Sequence, residues 1–315
     1  MSVTATELHR FEASRPRLEA IAYRLLGSAG EAEDAVQEVF LRWQATDRDR
    51  IEVPEAWLTK VLTNLCLNQL TSARARRETY VGEWLPEPLL AGDPMLGPAD
   101  TAEQRESVSF AVLTLMERLT PVERAVYVLR EAFDYPHREI AEFLDLTEAS
   151  SQQILHRAKK HLADGKARKE IDEADARRIV EEFLAAATGG SVAPLVQLLT
   201  ENAVSIGDGG GKVPARAKAF EGAAAVAKFL WGLFRPAESK RTLLGGSPQL
   251  YAWTANGEPA AVAVLDGRVV GIMCLEVGED GIIALRNQVN PDKLERATAL
   301  WATLDHGRPL VDQAF

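Results

Sequence analysis

Apolar residues recur at helical spacing through the first half of the chain. Leu18, Ile21, Ala22 and Leu25 mark one amphipathic helix, with Gly27 after it as a C-cap candidate. Ala32, Ala35, Val36, Val39, Phe40 and Trp43 mark a second, and Trp57, Leu58, Val61, Leu62, Leu65 and Leu70 a third. Residues 78–104 break the pattern with four prolines and three glycines, the texture of a linker. Further on, Ile140, Ala141 and Leu144 give a short helix one apolar face, Leu146 can plug a corner, and Thr147 suits the N-cap of the next helix. In that helix Ile154, Leu155, Ala158 and Leu162 face inward. Ser150, Gln152, Gln153, His156, Arg157, Lys159 and Lys160 are left outside. Two short helices about a tight turn, the second one basic, outline a helix-turn-helix; they also fit an ordinary pair of surface helices.

After Lys169 the texture changes. Residues 172–188 predict a helix ending at Gly189-Gly190, and residues 222–234 predict another. From Gln249 the period falls to two. Runs over 250–255, 260–265, 268–277 and 281–289 are separated by Asn256-Gly257, Asp266-Gly267 and a Gly-bounded turn. Asn-Gly and Asp-Gly between alternating apolar runs signal hairpins, so an antiparallel meander is expected. Helices ahead of a meander make an α+β domain.

Composition narrows the classes. The chain has 315 residues, enough for two or three cores. Its two cysteines, Cys66 and Cys274, are far apart in apolar surroundings and read as reduced core residues. No Cys/His cluster has metal spacing, so neither metal nor cofactor is expected. No apolar run approaches the roughly 20 residues of a membrane span, and the N-terminus lacks a signal-like apolar core. A cytoplasmic protein without a membrane partner is expected.

The net charge of −10 argues against a simple nucleic-acid binder, but the signs are segregated. Residues 148–169 hold six Lys/Arg against two acids, and Arg74, Arg76 and Arg77 form a compact basic cluster. Residues 29–55 hold eight acids against three Arg, and residues 78–106 seven acids against one Arg. Such segregation suits two partners, nucleic acid and a protein with basic surfaces.

The words of the sequence carry a resemblance. Residues 32–42, AEDAVQEVFLR, look like region 2.2 of a σ factor. Residues 56–65, AWLTKVLTNL, together with 74–77, look like regions 2.3 and 2.4. Leu119-Thr120-Pro121-Val122-Glu123-Arg124 and the helix-turn-helix closing on His156-Arg157-Ala158 look like region 4. The first half thus resembles the extracytoplasmic-function (ECF) σ factors of bacterial RNA polymerase. The rest is similar to the subgroup with a C-terminal SnoaL-like domain of ketosteroid-isomerase fold. Three signatures carry that likeness: Trp84-Leu85-Pro86-Glu87-Pro88, Asp208-Gly209-Gly210-Gly211-Lys212 and Asn290-Pro291-Asp292-Lys293-Leu294. Asn68 departs from the pattern, standing where many relatives are acidic.

The fold expected is therefore multidomain, with two all-α σ domains, the second with a helix-turn-helix, then an α+β SnoaL-like domain with a curved antiparallel sheet. The boundaries are 1–77 for σ region 2, 78–104 for the acidic linker, 105–168 for σ region 4, 172–295 for the SnoaL-like domain and 296–315 for a tail. The resemblance implies an alternative σ factor that binds core RNA polymerase through its β′ clamp and β subunits and directs promoter-specific initiation.

Roles follow residue by residue. Asp34, Gln37, Glu38, Leu41 and Arg42 would dock on polymerase. Asn64, Asn68, Arg74, Arg76 and Arg77 would serve the −10 element, and Ser150, Gln152, Gln153, His156, Arg157 and Lys160 the −35 element. Base reading falls to the glutamines and affinity to Arg157 and Lys160, because phosphate contacts position while base contacts specify. Trp84, Pro86, Asp208, Gly209, Gly210, Gly211, Lys212, Asn290, Pro291, Asp292 and Lys293 are regulatory candidates. Asp208 reads as part of a tight turn exposing Lys212, which could meet the acidic surfaces of 29–55 or 78–106. Glu276, Arg286 and Asp292 read either as pocket residues or as strand-face charges. No acid–base pair is positioned, so no catalytic residue is assigned and the chain is not expected to be an enzyme. The alternative is a small-molecule-binding or isomerase/cyclase-like enzyme domain fused to a DNA-binding helical module, and the SnoaL-like domain could hold an unknown small ligand.

Overall fold

A computed structural model describes residues 5–47, 50–162, 171–215 and 218–314, with the side chains of residues 73–78 and 173 also outside the description. The chain divides into two compact units. One comprises Met1–Thr79 with Gly92–Asp164, the other Tyr80–Ala91 with Gly165–Phe315.

The first unit is helical. α1 (Ala5–Leu26), α2 (Ala29–Ala45) and α3 (Pro54–Glu78) pack through the apolar stripes read above, burying Leu18, Ile21, Val36, Val39, Trp43, Leu58 and Leu62. Gly27 ends α1 with φ 72°, its N–H returning to the Tyr23 carbonyl at 2.7 Å. Only a residue without a Cβ takes that conformation at little cost. The Ser28 side chain then caps α2 by accepting the Glu31 N–H.

Short α4 (Ala102–Val108) and α5 (Phe110–Leu115) lead to α6 (Pro121–Tyr127). Thr120 and Glu123 close a reciprocal capping box there, with Pro121 at the first helical turn. A π-turn over Val128–Ala132 precedes α7 (His137–Leu144) and α8 (Glu148–Leu162). Asp145 ends α7 in the left-handed region at φ 52°, and the Leu146 N–H returns to the Ala141 carbonyl at 2.9 Å. Thr147 Oγ1 accepts the Ser150 N–H at 3.1 Å and starts α8. This is the helix-turn-helix corner.

Two buried arginines fasten α1 to the α4–α6 segment. Arg24 donates to Ser107 Oγ at 2.9 Å and to the Pro98 carbonyl at 3.3 Å, with its guanidinium over the Phe133 ring. Arg124 donates to the Arg24 carbonyl at 3.2 Å and pairs with Glu117 at 2.6 Å. Burial pushes the Arg24 guanidinium down to about 10 and the Arg124 guanidinium down to about 9.

The second unit is α+β. α9 (Glu173–Thr188) and α10 (Ala193–Leu198) lead into β1 (Leu199–Asp208) and the two-residue β2 (Phe220–Glu221). α11 (Ala223–Phe234) and α12 (Glu238–Leu244) precede the meander β3 (Gln249–Ala255), β4 (Glu258–Leu265), β5 (Arg268–Gly278) and β6 (Gly281–Gln288), and α13 (Glu295–Trp301) follows. Strand order is β2-β1-β6-β5-β4-β3. The meander is antiparallel as expected, but β1 pairs with β6 in parallel, so the sheet is mixed. The alternation pattern does not give β1 or the two-residue β2. Asp208 and Gln288 end adjacent strands in register, and this places the site below.

One sheet face packs on α9–α11 through Phe183, Leu230, Phe234, Met273, Leu275 and Leu285. Because strand side chains alternate, Cys274, Glu276, Arg286, Gln288 and Asp208 share the other face. There Arg286 pairs with Glu276 at 2.8 Å, both largely buried. Among the described residues, no helix is long and apolar enough to cross a membrane, and no His/Cys/Asp/Glu group could hold a metal ion.

Candidate nucleic-acid interface and linker clasp

α8 presents Gln152, Gln153, His156, Arg157 and Lys160 to solvent while Ile154 and Ala158 go inward. Ser150 differs from expectation. It is half-buried, and its hydroxyl is 2.7 Å from Thr147 Oγ1 in the cap. Cap chemistry claims that hydroxyl because it sits in the first turn beside the capping side chain. Three basic side chains of α8 lie against acids from neighbouring elements. Arg157 and His161 approach Glu123 at 3.9 and 3.6 Å, and Lys159 pairs with Glu131 at 2.6 Å. Burial opposes ionisation of Glu123, but the Thr120 backbone and hydroxyl, then His161 and Arg157, hold its carboxyl below the usual range.

α2 exposes Asp34, Gln37, Leu41 and Arg42, with Glu38 half-buried and 2.8 Å from Arg42 Nε. Leu41 is 51 % exposed between charged neighbours, an apolar point on a polar face. On α3, Asn68 is exposed, whereas Asn64 is half-buried and donates to the Phe143 carbonyl at 3.3 Å. Beside it Lys60 donates to the Glu142 carbonyl at 2.6 Å and pairs with Asp145 at 3.0 Å. The last carbonyls of α7 lack intrahelical donors, and α3 supplies them. Asn64 is therefore occupied by α7 in this conformation instead of standing free for a base. The side chains of Arg74, Arg76 and Arg77 lie outside the described residues, although α3 runs through them.

In the second unit the three signatures come together. Asp208 is fully buried. Its Oδ1 accepts Tyr80 Oη at 2.7 Å and the Gly210 N–H at 3.0 Å. Its Oδ2 accepts the Leu85 N–H at 3.0 Å, Lys293 Nζ at 2.7 Å and Gln288 Nε2 at 3.3 Å. Gln288 also donates to the Pro86 carbonyl at 3.1 Å, and Lys293 to the Leu85 carbonyl at 2.6 Å. The Lys293 ammonium lies over the Trp84 ring, 4.4 Å from its centroid. Asn290 accepts the Asp292 N–H and donates to Tyr80 Oη at 3.0 Å. Burial first, then the Asp208 carboxylate, push the Tyr80 phenol up.

The turn that exposes Lys212 is present, closed by the Lys212 and Val213 N–H groups on the Gly209 carbonyl, but Asp208 at its start is a buried hub and not merely a turn residue. Strand β1 carries it into the sheet face, where five donors replace the water that folding strips away. Lys212 pairs instead with Asp292 at 2.6 Å, both more than half exposed. The glycines have separate reasons. A Cβ on Gly209 would strike the Val213 carbonyl, and one on Gly210 (φ 60°) would strike the Asn290 amide. Residues 85–90 are buried, and Asn256 Oδ1 accepts the Leu89 N–H at 2.9 Å. Tyr80, Gln288 and Asn256 were missed as site residues. Tyr80 had one signal, an aromatic four residues before Trp84.

Comparison with known proteins decides the family. Residues 10–76 match the model of Sigma-70 region 2, and residues 109–162 match Sigma-70, region 4. The ECF RNA polymerase sigma factor SigJ of Mycobacterium tuberculosis is 36 % identical over 297 residues, covering 91 % of this chain and 93 % of the relative. This chain belongs to the ECF RNA polymerase σ factors. A probable ECF sigma factor SigI of the same species is 28 % identical over 90 % of this chain and 93 % of its own length. The crystal structure of SigJ aligns with a TM-score of 0.69 at 35 % identity, over 91 % of this chain and 98 % of that one.

As an ECF σ factor, the protein is an alternative σ factor that directs transcription initiation, acting with RNA polymerase on promoter DNA. The polymerase-facing candidates of α2 fall within the region 2 match, and all candidates of α8 fall within the region 4 match. The clasp around Asp208 lies outside both.

Proposed function

We propose that the exposed face of α2 docks this σ factor on the β′ clamp of core polymerase, that α3 serves the −10 element, and that α8 reads the −35 element. Gln152 and Gln153 contact bases, and Arg157 and Lys160 contact phosphates. The division proposed is that of the sequence reading, with 78–104 as an acidic linker whose stretch Tyr80–Ala91 packs within the α+β unit and whose remainder from Gly92 packs within the helical one. We further propose that the α+β unit regulates the σ halves and is not itself an enzyme. The observation that carries this is Asp208, which holds the Leu85 backbone while Lys293 and Gln288 hold its carbonyl and that of Pro86. By the resemblance, the linker of this family runs through a basic channel of the polymerase. A clasped strand must leave Asp208, Gln288 and Lys293 before it enters such a channel, so the clasp sets the cost of loading. The helix-facing side of the sheet is lined by apolar core residues without a positioned polar pair, which favours regulation through the linker over chemistry on a small ligand there.

The test is run-off transcription with core polymerase and full-length protein at subsaturating concentration. Wild type should bind core and initiate from a bipartite promoter. Tyr80→Phe, which loosens the clasp while keeping the ring, should raise the yield several-fold, with the fold retained at the cost of about 1 kcal/mol for the lost hydrogen bonding. Absence of core binding by wild type would overturn the polymerase assignment. Equal or lower yield from Tyr80→Phe would overturn the clasp.

A further inference from the structure

The α+β unit contains a basic segment that the clasp does not use. Between residues 218 and 244 stand Lys218, Lys228, Arg235, Lys240 and Arg241 against Glu221 and Glu238, a net of +3 within a chain of −10. α11 organises part of it. Val226, Ala227, Leu230 and Phe234 are buried, and the flanking stripe of Ala224, Lys228, Trp231 and Arg235, at spacings of four, three and four, carries the cations outward while Trp231 packs its ring against the edge of the core. Ala224, Lys228 and Arg235 are exposed and Trp231 is half-buried. Among the described residues, neither Lys218 nor Lys228 has a carboxylate partner.

The end of the stripe is built rather than incidental. The Arg235 guanidinium lies over the Trp231 ring, 4.9 Å from its centroid, which fixes a planar cation on the surface. Lys240 of α12 donates to the Gly232, Leu233 and Arg235 carbonyls at 2.6, 2.9 and 2.6 Å. It thereby satisfies the C-terminal carbonyls of α11 and holds a second cation beside Arg235. Burial first and Arg235 second lower its pKa.

We propose that this stripe of α11 is a second nucleic-acid contact, which lies along the sugar–phosphate backbone of duplex DNA flanking the promoter elements. Lys228 and Arg235 are seven residues apart, about 10 Å along the helix axis. Cations in a row, with small Ala224 between them and the helix start, match a line of regularly spaced phosphates. An acidic protein partner is the weaker fit. Protein interfaces are anchored by a central apolar or aromatic side chain in a pocket, and here Arg235 covers Trp231. Phosphate contacts carry no sequence information, so this surface adds affinity and leaves base preference to α8. The inference does not depend on the clasp.

The experiment uses holoenzyme assembled from core polymerase and the full chain on a promoter fragment with long duplex flanks. Observed affinity is measured against salt for wild type, for Lys218→Ala/Lys228→Ala/Arg235→Ala, and for Lys228→Arg as a charge-preserving control. Melting temperatures confirm that each variant folds. The triple variant should flatten the log–log salt slope by about 2 to 3, at about 0.9 for each phosphate no longer neutralised, with the control unchanged. A photocrosslinker replacing Ala224 should label DNA in the same complex. A salt slope equal to wild type, or a crosslink to a polymerase subunit in place of DNA, would overturn the proposal.

Discussion

The side-chain amide of Asn64 donates to the backbone carbonyl of Phe143 at 3.3 Å, tying α3 to the last turn of α7 across 79 residues of sequence. With the Lys60 contacts to Glu142 and Asp145, it closes the region 2 helices on the helix-turn-helix. A residue placed by the family likeness at the −10 element is thus engaged by α7, within the region 4 match. Opening the two halves exposes it.

The first prediction follows from that closure. Lys60→Glu places a carboxylate against Asp145 and the C-terminal carbonyls of α7. An exposed ion pair contributes under about 1 kcal/mol, so the fold should survive while closure weakens. Spin labels on α2 and α8 should show a longer and broader distance distribution in the variant. An unchanged distribution would mean that the contact does not hold the halves together.

A second concerns promoter reading. Arg157→Ala should weaken binding to all −35 sequences alike and flatten the salt slope by about 0.9. Gln152→Ala or Gln153→Ala should change preference at a single base position by about 1–3 kcal/mol. A promoter library selected by holoenzyme separates the two. Unaltered preference in both glutamine variants removes them from the base-reading set.

A third concerns the clasp. Asp208→Asn removes a buried charge and leaves the Lys293 ammonium, whose side chain is 13 % exposed, without its carboxylate. Breaking one side of a buried pair costs about 3–5 kcal/mol. Thermal unfolding should show the destabilisation, and Trp84 emission should shift to the red as the ring leaves the Lys293 ammonium. Lys212→Glu, which breaks an exposed pair with Asp292, should cost under about 1 kcal/mol. Equal effects from the two substitutions would contradict the geometry.

A fourth concerns pH. The carboxyl of Glu123 is held below its ordinary value in the folded chain. The unfolded chain therefore binds a proton at higher pH than the folded one. The stabilisation is fully present above the ordinary carboxylate value, near 4.3, and is lost as pH falls through the lower folded value. Glu123→Gln, which keeps a side chain able to cap Thr120, should flatten that part of the acid unfolding curve. Superimposable acid limbs for the two proteins would remove Glu123 as its source.

The helical half was legible because its signals are local. Leu18, Ile21 and Leu25 repeat within one helix, Gly27 closes it, and Thr147 opens α8. Each needs only neighbours within a few residues. The meander was legible for the same reason, since Asn256-Gly257 and Asp266-Gly267 occupy positive φ at their turns. What local pattern could not give was pairing at long range. β1 belongs beside β6, with Asp208 and Gln288 80 residues apart, and its role depends on that partner.

The sequence alone determined the longer helices, the caps at Gly27 and Thr147, the hairpins and, through its shared words, the σ family. Tertiary structure decided which polar groups are buried and what they meet. Asp208, Gln288 and Lys293 converge on the Leu85 backbone because parallel pairing aligns the ends of β1 and β6. Asn64 faces the α7 carbonyls because α3 and α7 pack together. A buried carboxylate and an exposed turn residue look alike as letters. They differ in whether folding has removed the water that would otherwise solvate them, and only the packed chain shows that.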